Sequence, residues 1–142
     1  MSADRQPLFA SLRVRNYRLF ALGALVSNVG GWMAMVAQDW LVLTELTAGS
    51  ASALGLVAGL QFVPVALFAP LAGAFADRFD KRKVLLVTQS AAALTAVALF
   101  VLIVTGAVRL WQVFILAALL GTILAFDNPS RQAFVSEMVP PE

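Results

Sequence analysis

The sequence predicts an all-α polytopic membrane protein with four transmembrane helices, and three observations carry that reading. Of 142 residues, 61% are hydrophobic and 13% charged, with a mean hydropathy of +0.86, a balance too apolar for a soluble domain of this length. Uncharged runs at 19–38, 46–76, 84–108 and 110–126 each match the length needed to cross about 30 Å of hydrocarbon. The charges gather between the runs. The densest group lies in Gly73-Ala-Phe-Ala-Asp77-Arg78-Phe79-Asp80-Lys81-Arg82-Lys83, where four basic and two acidic residues mark a tight turn at a membrane surface. Basic turns resist translocation, so this one is expected on the cytoplasmic side.

The elements follow in order. Residues 1–18 form a cytoplasmic segment in which Arg5, Arg13, Arg15 and Arg18 alternate with Leu8, Phe9, Leu12 and Val14, a pattern suited to lying on the inner leaflet. Residues 19–142 form the transmembrane region. Its first helix spans about 19–44, and its long basic approach and lack of a small-residue cleavage site distinguish it from a secretion signal. An external loop at 44–52 follows, with Glu45 and no basic residue. The second helix, 53–76, contains Pro64 and Pro70, each of which removes a backbone donor, and a bend is expected there. The third, 84–104, stops at Thr105-Gly106. The fourth, 110–126, opens at Trp111 and is expected to stop at Asp127-Asn128-Pro129. Tyr17 then falls at the inner interface and Trp40 and Trp111 at the outer one, where amphipathic rings sit. Both ends of the segment are expected in the cytosol, at a cell membrane of the bacterial inner-membrane type.

Composition also excludes function classes. Cysteine and histidine are both absent, which removes disulfides, thiolate nucleophiles, imidazole acid–base chemistry and the usual zinc ligands. No Gly-rich Lys-Ser/Thr phosphate loop is present, so ATP is not the direct energy source. The reading is a non-enzyme with no cofactor and no metal. The pI near 9.7 would suit a nucleic-acid binder, but nine of the ten basic residues fall in expected cytoplasmic turns. Membrane orientation accounts for them, and the lipid bilayer is the implied partner, with no nucleic acid.

Polar residues inside the apolar runs are the candidate functional positions. Asn28, Trp32, Met35 and Asp39 follow 4-3-4 spacing and share one face of the first helix. That face is a candidate translocation pathway, with Asp39 binding a cation or proton; an interfacial aspartate meeting headgroups is the alternative. Gln61, Gln89 and Thr122 read as polar contacts between helices, and the four-residue spacing of Gly23, Ser27 and Gly31, and of Gly55 and Gly59, reads as close packing within one bundle.

Asp77 ends a helix where the macrodipole disfavours a carboxylate, and so needs a basic partner or the N-terminus of another helix. The basic residues after it can hold the turn at anionic headgroups. The pattern Gly73-x-x-x-Asp77-Arg78-x-x-Lys81-Arg82 resembles the signature loop between helices two and three of the major facilitator superfamily. Leu12-Arg13 with Asn16-Tyr17-Arg18, and Asp127-Asn128-Pro129-Ser130-Arg131-Gln132, resemble its efflux branch related to the enterobactin exporter. The resemblance implies four helices belonging to a six-helix half of a twelve-helix transporter. It further implies that Gly73, Asp77, Arg78, Lys81 and Arg82 form a gating loop, with Asp127 and Arg131 as possible cytoplasmic charge partners. Phe75 stands in place of the family's leucine and Asp80 in place of its loop glycine, a change that alters the turn.

The expected function is therefore the N-terminal part of a secondary active exporter of small molecules, drug or siderophore-like, driven by an ion gradient, with the C-terminal transporter half as a missing partner. Two alternatives are a non-transporting truncated segment or assembly partner, and a small four-helix dimeric multidrug transporter. The latter requires an acidic residue well inside helix one, and Asp39 lies too far outward to fit it.

Overall fold

The computed structural model describes residues 15–138, which form four long helices joined by short turns. Helix α1 (Arg15–Trp40) passes directly into a wider-wound π segment (Leu41–Leu46), followed by α2 (Ala51–Arg78), α3 (Lys81–Val104) and α4 (Leu110–Met138). All four are long and apolar enough to cross a membrane, over Tyr17–Leu46, Ala51–Arg78, Lys81–Val104 and Leu110–Val135. Residues 1–14, with the amphipathic segment read at Leu8, Phe9 and Leu12 and the Leu12-Arg13 motif, lie outside the described residues.

Each helix end has a local cause. The π segment turns through Thr47, whose hydroxyl donates to the Val42 carbonyl at 2.7 Å and accepts from the Ser50 amide at 3.2 Å. Ser50 then caps α2 by accepting from the Ala53 amide. Helix α3 stops where its sequence says it should. Gly106, at φ +68°, supplies the left-handed residue, its amide reaching the Ile103 carbonyl at 3.1 Å and the Ala107 amide the Leu102 carbonyl at 3.0 Å. Helix α4 opens on a reciprocal cap in which Gln112 Oε1 accepts from the Arg109 amide at 2.7 Å.

Two elements differ from the sequence expectation. Asp127-Asn128-Pro129 does not end α4, which runs on to Met138 with Pro129 inside it. The ring at Pro129 forfeits only the bond to the Ala125 carbonyl, and Asp127 finds partners on another helix. The charged turn is also shorter than read. Asp77 and Arg78 belong to the last turn of α2 and Lys81, Arg82 and Lys83 to the first turn of α3, leaving Phe79 and Asp80 between them. Asp80 is the reason: its carboxylate accepts from the Arg82 amide at 3.0 Å and caps α3. Pro64 and Pro70 lie within an uninterrupted α2.

Packing is strongest between α2 and α4. On α4, Val113, Ala117, Gly121 and Ala125 recur every four residues and are buried, and they face the buried Val57, Gln61, Ala72 and Ala76 of α2. Val42 joins Val57, Val113 and Ala117 in the apolar core, bringing the π segment onto this seam. A methyl group at Gly121 would lie 2.9 Å from the Gln61 carbonyl carbon, so the two backbones touch at this point. The glycines singled out by spacing are not in such contacts. A methyl at Gly23, Gly31, Gly55 or Gly59 would meet nothing within 4 Å, which corrects the reading of those stripes as close contacts among these four helices. Large apolar side chains such as Val26, Met33, Leu67, Val87 and Leu94 are exposed, as lipid or further helices require.

Gly→Ala normally favours a helix by about 1 kcal/mol. At position 121 the sign should reverse, with Gly121→Ala losing about 1–3 kcal/mol through overpacking against Gln61. A lower melting temperature for Gly121→Ala than for Gly23→Ala in detergent would be the expected result.

Candidate functional site

The site grows from one carboxylate. Asp127 is 2% exposed within an otherwise apolar bundle, where an unpaired charge would be costly. Its Oδ1 accepts from Thr88 Oγ1 at 2.6 Å and from Gln89 Nε2 at 2.9 Å, both on α3. Its Oδ2 accepts from Arg131 Nη2 at 3.0 Å and Nε at 3.3 Å, one turn along α4. Gln89 in turn accepts from Ser27 Oγ of α1 at 2.9 Å. Charge-assisted bonds of this kind contribute about 1.5–3 kcal/mol each. A chain of polar groups therefore connects α1, α3 and α4 near the end of the bundle that carries the α2–α3 turn, and Phe20 of α1 packs on Phe134 of α4 close by, with ring centroids 5.1 Å apart.

The charged turn stands apart from this junction. Asp77, Arg78 and Arg82 are exposed, and Asp77 makes no ion pair among the described residues. Lys81 is half-buried, and a methyl at Gly73 would meet nothing within 4 Å. Asp127 and Arg131, read as charge partners of the turn, pair with each other. The turn is instead braced by aromatic rings: Phe79 stacks on Phe75 at 4.1 Å, and Phe75 meets Phe126 of α4 edge-on at 5.5 Å.

The 4-3-4 set on α1 sits on an open side of that helix. Asn28 and Trp32 are exposed, and Met35 and Asp39 are half-buried. The three polar residues read as interhelix contacts divide. Gln89 makes such a contact, Thr122 bonds its own helix at the Ala118 carbonyl at 2.9 Å, and Gln61 keeps its side-chain nitrogen buried without a hydrogen-bond partner among the described residues. Thr88 is the functional contact that the sequence pattern does not mark. Its signal is its place beside Gln89 in the first two turns of α3, where a second polar side chain implies a buried acceptor nearby.

A family model described as "Transmembrane secretion effector" covers residues 6–142. The chain belongs to this family of major facilitator transporters. Similar proteins include the staphyloferrin A transporter of Staphylococcus aureus, 34% identical over 122 residues, covering 85% of this chain and 30% of that protein. The macrolide efflux protein A of Streptococcus pyogenes is 32% identical over 105 residues, covering 70% of this chain and 24% of that protein. The multidrug efflux pump Tap of Mycolicibacterium fortuitum is 31% identical over 122 residues, covering 86% of this chain and 29% of that protein. The chain thus spans about a quarter to a third of the length of these transporters. No solved structure matches it significantly.

Replacing Asp127 by Asn keeps an acceptor for Thr88 and Gln89 but removes the charge that Arg131 needs. Asp127→Asn should lower stability by about 2–3 kcal/mol. Adding Arg131→Gln to Asp127→Asn should cost less than the sum of the two single changes, measured by thermal unfolding in a double-mutant cycle.

Proposed function

We propose that these residues are the N-terminal part of a secondary active exporter of small molecules, drug or siderophore-like, driven by an ion gradient across a bacterial inner membrane. The observation that carries the reading is the position of Gly73, Asp77, Arg78, Lys81 and Arg82 at the α2–α3 turn of a chain that matches the transporter family along nearly its whole length. The exposed Asp77 and Arg78 suit a gating loop that finds its partners elsewhere, in the C-terminal transporter half absent from this chain. The names of the relatives, a staphyloferrin A transporter, a macrolide efflux protein and a multidrug efflux pump, support a small-molecule substrate.

In this reading Asn28, Trp32, Met35 and Asp39 line part of the pathway, and their open side of α1 leaves room for the second half to close it. Asp39 is the group that would carry the coupling cation or proton. Asp127, through Thr88 and Gln89, holds α4 to α3 and gives the turn a firm base, while Arg131 balances its charge from one turn along α4. The length of the relatives argues against a complete four-helix dimeric transporter.

The test is transport by the full reading frame in proteoliposomes with an imposed proton gradient, across a panel of drugs and siderophores. Asp77→Asn at matched abundance should reduce transport at least tenfold. Asp39→Asn should reduce it and flatten its pH dependence; unchanged rate and pH profile would remove Asp39 from the mechanism. An absence of gradient-driven movement of any compound by the wild-type protein would overturn the proposal.

A further inference from the structure

Helices α2 and α3 both pack on α4, with little contact between each other, and leave a groove of about 480 Å³ between them. Its walls are Phe75 of α2, Phe79 of the turn and Val84, Val87 and Ala91 of α3, with Ile123 and Phe126 of α4 as its floor. At its mouth stand Asp80 and Lys83. The groove runs along α3 from Asp80 to Ala91, which at 1.5 Å per residue is about 16 Å. That is the depth of one leaflet's hydrocarbon, half of about 30 Å.

The two charges at the mouth are not equivalent. The Asp80 carboxylate is engaged in capping α3. Lys83 is exposed and has no carboxylate partner among the described residues, and Arg78 and Arg82, also exposed, flank the same turn. We infer that the groove binds one anionic phospholipid of the leaflet next to the α2–α3 turn, with an acyl chain between α2 and α3 and the phosphate at Lys83. A protein helix laid in the groove would bury Lys83 unpaired unless it carried its own carboxylate to that point. A phospholipid brings an apolar chain and an anion as one molecule, in the register that the groove and Lys83 require.

The inference needs membrane embedding and does not depend on transport, so its failure and that of the exporter reading can be told apart. The experiment uses the full reading frame in phosphatidylcholine nanodiscs doped with phosphatidylglycerol carrying a photoactivatable acyl chain, and in parallel with phosphatidylcholine carrying the same chain. Crosslinked peptides are mapped by mass spectrometry. Residues 84–91 should be labelled several-fold more by the phosphatidylglycerol probe. Lys83→Gln should lower that labelling about fivefold, the worth of one basic residue at an anionic headgroup. Ala91→Phe, which fills the deep end of the groove and leaves Lys83 in place, should lower it as well, while labelling at the exposed Leu94 and Val97 stays constant and reports a folded protein. Equal labelling by the two probes would mean ordinary surrounding lipid, and no labelling of 84–91 would mean that protein covers the groove; either result overturns the inference.

Discussion

The cost of placing charge in hydrocarbon governs this structure. Lysine, arginine and aspartate each carry a penalty of about 2.5–3.5 kcal/mol at the centre of a membrane helix, and the chain responds by gathering its charges into the ends of helices. Asp127 is the exception, because α4 continues past it for another three turns. Four donor contacts from Thr88, Gln89 and Arg131 make the exception tolerable. Since the donors come from two helices, satisfying one carboxylate also sets how α3 approaches α4, and Gln89 carries the link on to Ser27 of α1.

The remaining architecture follows from that fixed point. Helix α4 has two working faces: a small-residue face with Gly121 touching the backbone of α2, and a polar face that receives α3. Helices α2 and α3 are thereby held on the same partner rather than on each other. Their two-residue turn is kept short by the Asp80 cap and steadied by the stack of Phe75 on Phe79. Asp77, Arg78, Arg82 and Lys83 around the turn are left exposed, and Asp77 makes no ion pair among the described residues. A firm base with exposed charges at its edge suits the gating role proposed for the turn.

Much of this was legible in the sequence. The number and order of the helices followed from run lengths, and the end of α3 followed from Gly106. Element ends that depend on distant partners were not legible. Asp127-Asn128-Pro129 reads as a stop because only Arg131 compensates the carboxylate locally, and its other partners lie 38 and 39 residues away at Gln89 and Thr88. Small-residue spacing marked Gly23, Gly31, Gly55 and Gly59, where a methyl would meet nothing within 4 Å, whereas the stripe in contact among the described residues is Ala117, Gly121 and Ala125. Periodicity marks a face, but only the partner's position decides whether that face is covered. The turn residues Gly73, Asp77 and Arg78 were found by their pattern and not by any contact that the structure displays.

The gating role proposed for the α2–α3 turn depends on that turn facing the cytosol. The chain has no cysteine, so a single Phe79→Cys change provides a clean reporter at the exposed tip of that turn. Treatment of intact cells with a membrane-impermeant maleimide should leave this residue unlabelled until the membrane is opened, whereas Ala48→Cys, in the turn at the opposite end, should react from outside. Labelling of Phe79→Cys in sealed cells would contradict the orientation and with it the gating role of the turn.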